Sequence, residues 1–305
     1  MVDNGKGMVI ASFAADSLAL GAHWIYDTES IERSFGRVES YLKPGEHSYH
    51  ATKEQGDFTH YGDQTLVLLE SLAEKKGFDL SAFSERWRAL FNNYQGYIDY
   101  ATSVTLSRYD SGSSYRDPGS PLDDLAGAAR IAPLVYAYRN DVNKLVQSAR
   151  AQTRMTHDNP WTLDAAEFFA RVTCQVLQGV RPQEAMQEIS EKFLEGSLLA
   201  GWVQEGLDSR TKKTVFTITR FGQSCHTEEA FPGVVHLIAK YEEDLREALI
   251  QSVMAGGDSA ARGMIVGMVL GAALGMEKIP RQWIDELRKR DSILKLLEDL
   301  SVLNP

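Results

Sequence analysis

Apolar side chains in this chain recur at intervals of three and four residues almost wherever a pattern can be read, and strict alternation is scarce. A period near 3.6 buries one face of a helix, whereas a half-buried strand needs a period of two, so the pattern restricts the chain to an all-α fold. Over 63–75, for example, Leu66, Leu69, Leu72 and Ala73 share one face. Further helices are predicted over 7–20, 81–99, 122–138, 142–154, 161–177, 182–194, 198–207, 227–240, 241–254, 258–274 and 280–300. The connections between them are short, as packed helical bundles prefer. The best strand candidate is 214–219, Val-Phe-Thr-Ile flanked by threonines. Two stretches, 30–61 and 102–121, break the helical rhythm and read as loops over the scaffold. No linker or fixed-period repeat divides the chain, so a single orthogonal multi-helix bundle over residues 1–305 is expected.

Charge narrows the possible partners. The 42 acidic residues against 32 basic ones give a net charge of −10, which repels phosphate backbones and anionic lipid surfaces, so no nucleic acid and no membrane partner is expected. Cys174 and Cys225 are too few for a disulfide framework, and they fit reduced thiols in a cytoplasmic protein. The apolar N-terminal stretch is interrupted by Asp16 and reads as a buried helix, not a signal peptide. The uncharged run 263–276 is shorter than the about 20 residues a bilayer-crossing helix needs.

Within this apolar framework three aspartates are conspicuous. Asp16 lies in an otherwise apolar helical stretch, where an unpaired carboxylate is costly to bury. Asp63 and Asp258 each stand just before an apolar helical run, where a carboxylate accepts otherwise unpaired amide protons. They are either plain helix caps, or two helix starts that converge to hold a cation or a sugar. Gly263, Gly267, Gly271 and Gly275 follow at four-residue spacing and form a strip that a neighbouring helix can approach closely.

These motifs, taken in order, resemble the ADP-ribosylglycohydrolase family, in the crystallin J1-like branch. The family's Gly-Asp-Ala-Leu-Gly helix is similar to Ala15-Asp16-Ser17-Leu18-Ala19-Leu20-Gly21, and the following His23-Trp24 resembles the J1 form. The family's Thr-Asp-Asp-Thr motif aligns with Gly62-Asp63-Gln64-Thr65, and its Gly-Gly-Asp-Thr-Asp-Thr motif aligns with Gly256 to Ala261. Between them, Gly127 to Leu134 and Thr156-His157 resemble the family's middle segments. The resemblance implies an all-α fold with a magnesium pair in a cleft that binds ADP-ribose, and hydrolysis of an ADP-ribosyl bond on a small molecule or an ADP-ribosylated substrate.

The departures from the family pattern matter as much. Gly62, Gln64, Ala260 and Ala261 stand where the family has oxygen ligands. Magnesium demands about six oxygens in octahedral geometry, so a weak single ion held by Asp63, Gln64, Thr65, Asp258 and Ser259, or no ion, is expected. Arg262, one turn after Asp258, is either a solvated helix residue or a fixed cation pointing at Asp63 or Asp258 in place of the metal. In the enzymatic reading Asp63 and Asp258 position a cation or water, and Asp16 or Asp27 supplies a base. His23, His60 and His157 can act near neutral pH, Trp24 and Tyr26 can stack on an adenine or ribose, and His23, Trp24, His157 and Arg262 are the expected substrate contacts. The rival reading is a noncatalytic binding or structural protein.

Overall fold

The computed structural model describes residues 4–301. The first third of the chain forms α1 (Gly5–Ala19), α2 (Thr28–Phe35), α3 (His60–Lys75), α4 (Leu80–Phe91) and α5 (Tyr100–Asp110). The middle forms α6 (Ala126–Ala129), α7 (Ala132–Tyr138), α8 (Val142–Arg154), α9 (Pro160–Leu177), α10 (Pro182–Phe193) and α11 (Leu198–Asp208). The last third adds α12 (Thr214–Phe221), α13 (Thr227–Lys240), α14 (Leu245–Met254), α15 (Ser259–Leu274), α16 (Arg281–Glu286) and α17 (Arg290–Leu300). Among the described residues there is no strand, and isolated β-bridges join Ser120 to His157 and Asp124 to His226.

Four expectations are corrected. Residues 214–219 are helical in α12, because Thr214, Thr217 and Ile218 are the buried positions, a helical spacing that the local alternation of threonine with apolar residues disguises. The loop read over 102–121 begins as α5, which Asp99 caps and which buries Ala101, Thr102, Thr105 and Tyr109 along one stripe. The loop read over 30–61 contains most of α2, started by Asp27. The helices expected over 122–138 and 280–300 are each broken in two. Pro133 sits in the first turn of α7, where a missing amide costs nothing, and so restarts the helix there.

The centre of the fold is α15, buried from Ser259 to Ala272 and packed against α1, α9, α13 and α14. Its glycines earn their places unequally. A Cβ on Gly267 would lie 2.5 Å from the Ala11 carbonyl oxygen, and one on Gly271 would lie 2.8 Å from the Ala11 Cβ. Those two let α1 and α15 approach to backbone contact. Gly263 has only ordinary contacts, the nearest at 3.5 Å, whereas Gly275 ends the helix at φ 80°, so of the four only Gly263 has room for a side chain. This α1–α15 seam places the C-terminal end of α1 beside the N-terminal end of α15, and the candidate site is built there.

Candidate functional site at the starts of α3, α5 and α15

The turn between α14 and α15 needs Gly256 and Gly257 at φ 69° and 66°, a region side chains rarely adopt. It delivers Asp258 as the N-cap of α15, accepting from the Ala261 amide at 3.1 Å. Across the seam, the chain leaving α1 is zipped to the same turn: Trp24 N donates to the Gly257 carbonyl at 2.9 Å, and Gly257 N donates to the Ile25 carbonyl at 2.8 Å. Trp24 pays for that pairing with a φ of 65°, a strained value for a bulky residue and one met where structure is set for a purpose. The zipper fixes His23 against Asp258, its Nε2 3.0 Å from Asp258 Oδ1. His23 Nδ1 continues to His50 Nε2 at 2.8 Å, and Tyr61 Oη donates to the other Asp258 oxygen at 3.2 Å.

Asp258, His23 and His50 therefore form a carboxylate–imidazole–imidazole chain that is buried throughout. Burial pushes Asp258 up, but the His23 hydrogen bond, the Ala261 amide and the nearby charges together outweigh it and leave the carboxyl below its usual range. Burial dominates at His23 and lowers its pKa, and burial also pushes His50 far down, with His23 and His60 adding to the effect. Both imidazoles are neutral near pH 7, so each has one N–H and one lone pair. The tautomers follow from the carboxylate at one end: His23 Nε2 donates to Asp258, His23 Nδ1 accepts from His50 Nε2, and the lone pair of His50 Nδ1 is left without a protein donor among the described residues.

Asp99, the N-cap of α5, lies beside this chain, its Oδ2 3.0 Å from His60 Nε2. Burial pushes the carboxyl up, yet His60, His157 and the Thr102 amide together hold it well below the carboxylate range. Over these groups lies an aromatic lip. Trp24 stacks on His23 with centroids 4.3 Å apart and meets Tyr49 and Tyr97 edge-on, each at 5.0 Å.

The structure sorts the sequence-derived candidates. Asp16 is fully buried, with Oδ2 accepting from the Thr59 amide at 2.8 Å and Oδ1 from the Thr59 hydroxyl at 2.5 Å, and burial raises its pKa to about 7. It braces α1 to the cap of α3. Gly62 is small for the same reason, since a Cβ there would lie 2.3 Å from Asp16 Oδ2. Asp63 is not the cap of α3. Thr59 is, and α3 starts a turn earlier than the apolar pattern indicates. Asp63 instead meets Lys53 Nζ and the Tyr94 hydroxyl, each at 2.5 Å. Asp27 caps α2 on an exposed surface, with Ser30 and Arg33, and makes none of the contacts of the Asp258 chain.

Arg262 answers neither alternative raised for it. Its side chain is completely buried, and Nη2 donates to the Ser252 and Gly256 carbonyls at 2.7 Å each, closing the end of α14. It has no direct hydrogen bond to Asp258 or Asp63, although Asp258 lies close enough to feel its charge. Gln64 turns into the core, where Trp87 Nε1 donates to its side-chain oxygen at 2.7 Å and Arg130 donates to the same atom. Thr65 donates back to the Tyr61 carbonyl at 2.8 Å, and Ser259 Oγ is buried without a partner among the described residues. His157 is buried beside Asp124, its Nδ1 2.9 Å from Thr156 Oγ1. Tyr26 is half exposed.

Sequence reasoning missed His50, Lys53, Tyr61, Asp99, Asp123, Asp124 and His226. Only Asp99 left a local signal, the Asp-x-x-Thr capping pattern that the expected helix over 81–99 obscured. Tyr61 lies in the first turn of α3, off its leucine stripe, and Lys53 reaches Asp63 from the loop just before, whereas His50, Asp123, Asp124 and His226 are brought in by segments whose partners are far away in the sequence.

The helical bundle thus carries a buried carboxylate–imidazole chain where its helix starts converge. The comparisons give the family of the chain. The family model for ADP-ribosylglycohydrolase matches residues 2–304, and the chain belongs to that family. It is 24% identical to Crystallin J1A of Tripedalia cystophora, over 98% of this chain and 96% of that protein. It is also 24% identical to the ADP-ribosyl-[dinitrogen reductase] glycohydrolase of Rhodospirillum rubrum, over 76% of this chain and 74% of that one. A solved structure, an ADP-ribosylglycohydrolase-related protein complex, superposes with a TM-score of 0.76 at 23% identity, covering 99% of this chain and 98% of its own, and supports the fold.

Proposed function

We propose that the protein hydrolyses an ADP-ribosyl N- or O-glycosidic bond, on a small molecule or an ADP-ribosylated protein, at the cleft between Asp258 and Asp99. The observation that carries this reading is the Asp258–His23–His50 chain ending in a lone pair with no protein donor. In the reaction, water adds to the anomeric carbon while the glycosidic C–N or C–O bond breaks. The water gives up a proton, and the departing group regains one. The transition state is oxocarbenium-like and cationic. The ionised carboxylates of Asp99 and Asp258 favour that charge from fixed positions, with no reorganisation needed as it develops. His50 Nδ1 accepts the hydrogen bond of the attacking water, and Asp258 holds the two imidazoles in the tautomers this requires. Trp24 and Tyr26, at the rim, offer ring faces to the adenine or ribose.

The family implies magnesium, and the donors here do not suit a magnesium pair. The Asp63 carboxylate is held by Lys53 and Tyr94, Asp258 by His23, Tyr61 and an amide, and Gln64 by Trp87 and Arg130. Lys53 is the fixed cation in this reading, the part first given to Arg262. Ser259 Oγ is the one side-chain oxygen of the expected ligand set left unpartnered among the described residues. The mechanism above therefore uses no magnesium step.

The test is release of free ADP-ribose from ADP-ribosylarginine and ADP-ribosylserine peptides, followed by mass spectrometry. Release by the wild type, with kcat lower by about 10²–10⁴-fold in Asp258→Asn and unchanged in Asp27→Asn, is the expected result. A second reading, a noncatalytic protein, draws on the similarity to Crystallin J1A and on the protein partners already holding Asp63 and Asp258. Binding of ADP-ribose without any turnover would select it.

A further inference from the structure

The loop that follows α5 is a strap held on both sides. On one side Ser120 N donates to the Thr156 carbonyl at 2.9 Å and Asp158 N donates to the Ser120 carbonyl at 2.7 Å. On the other, Leu125 N donates to the Cys225 carbonyl at 2.8 Å and Thr227 N donates to the Asp123 carbonyl at 2.9 Å. These four bonds join three distant segments and set Asp124 opposite His226 as an antiparallel pair, where facing side chains stand close. The ligand atoms of Asp123, Asp124 and His226 all lie within 4.8 Å of one another, and His226 Nδ1 is 2.8 Å from Asp123 Oδ1.

A second, independent feature points into the same spot. The His157 side chain is 3% exposed, and its Nε2 has no hydrogen-bond partner among the described residues. That nitrogen lies 3.8 Å from Asp124 Oδ2. A buried imidazole nitrogen left unpaired is costly, and one aimed at a carboxylate flanked by another carboxylate and imidazole has the bearing of a ligand. Its other nitrogen, Nδ1, already meets Thr156 Oγ1 at 2.9 Å, which fixes the ring as outer partners fix metal-bound histidines.

We infer that Asp123, Asp124, His157 and His226 form a site for one zinc-class divalent ion, separate from the Asp63 and Asp258 positions. Two imidazoles and two carboxylates are the donor set of a borderline transition ion, whereas magnesium takes oxygen almost exclusively. The charges balance: two carboxylates and two neutral imidazoles leave a net −2 for the ion to cancel. The spacing also suits it, because bonds of about 2.0–2.2 Å in a tetrahedron put neighbouring ligand atoms about 3.3–3.6 Å apart. The present spread closes to that range by side-chain rotation, with His226 giving up the proton it shares with Asp123. The Cys225 thiol, donating to Asp124, holds that carboxylate from the outer side. The site adjoins the cleft, since Asp124 feels the charges of both Asp99 and Asp258. The inference stands whether or not the chain is a hydrolase.

The test is zinc titration calorimetry of chelator-treated full-length protein, with zinc content by mass spectrometry after desalting and melting temperature with and without zinc. One zinc per chain is expected, with a raised melting temperature and no displacement by millimolar magnesium. Asp124→Asn and His226→Ala should each weaken zinc at least 100-fold, and His157→Gln at least tenfold, while Asp27→Asn, on the exposed start of α2, leaves it unchanged. The His226 side chain is half exposed, so His226→Ala keeps its core even if Asp124→Asn folds poorly. Absence of saturable zinc binding, or equal affinity in His226→Ala and the wild type, overturns the inference.

Discussion

At the scale of single residues, the site is organised by which polar atom reaches which partner, and Arg262 shows how much rests on one side chain. Its guanidinium is buried with two carbonyls, Ser252 and Gly256, and burial lowers its pKa to about 10, so it is still charged at neutral pH. Replacing it by methionine fills the volume but leaves both carbonyls unpaired, at about 1–3 kcal/mol each. Arg262→Met is therefore expected to lose roughly 2–6 kcal/mol in urea unfolding. A loss under half a kilocalorie, ordinary for surface substitutions, would contradict the burial and the pairing. Asp16 differs in kind: Asp16→Asn can keep the bond from the Thr59 amide and should fold, whereas Asp16→Ala leaves that amide buried and unpaired.

At the scale of elements, the α1–α15 seam makes a paired comparison possible. Gly267→Ala drives a methyl into the Ala11 carbonyl, while Gly263→Ala meets ordinary contacts. Overpacking of this kind costs about 1–3 kcal/mol or more, so Gly267→Ala is expected to lower the melting temperature clearly and Gly263→Ala to leave it nearly level or raise it. Equal shifts would mean the seam is looser than described. The same seam shows what could be read from the chain beforehand. Long apolar stripes such as those of α9 and α13 were legible because period and burial coincide, and α15, buried on all sides, was legible as a continuous uncharged run from Gly263. The start of α3 was not, because Thr59 caps a turn made of His60, Tyr61 and Gly62, none of which joins the leucine stripe. The strap residues Asp123 and Asp124 were invisible as a group, since their partners His157 and His226 come from other loops and only the fold brings them together.

At the scale of the whole molecule, buried neutral histidines set the response to acid. Burial lowers His157 to about 3 and His236 to about 4, and it also lowers His23 and His50, all against an ordinary value of 6.5. A folded pKa below the unfolded one means the unfolded chain takes up the proton first, so the stability is fully present above pH 6.5 and is lost as pH falls toward 4 and 3. Asp16 opposes this: raised from 3.8 to about 7, its contribution is present at low pH and is lost as pH rises through that window. Burial raises Glu70 and Asp124 in the same sense as Asp16, but the four histidines, joined by the depressed carboxyls of Asp99 and Asp258, outnumber these three. The urea midpoint is expected to fall between pH 6.5 and 4, less steeply in His236→Gln, and a midpoint that rises on acidification would contradict the buried neutral histidines.

The central claim about the cleft is that protein groups, Lys53 at Asp63 and His23 with Tyr61 at Asp258, stand where the family's pattern places a magnesium pair. Magnesium titration calorimetry at neutral pH, on wild type and Lys53→Ala side by side, reads it directly. The wild type is expected to give no saturable heat at millimolar magnesium, and Lys53→Ala, with the Asp63 carboxylate freed, to gain measurable binding. Stoichiometric micromolar magnesium binding by the wild type, unchanged in Lys53→Ala, would contradict it.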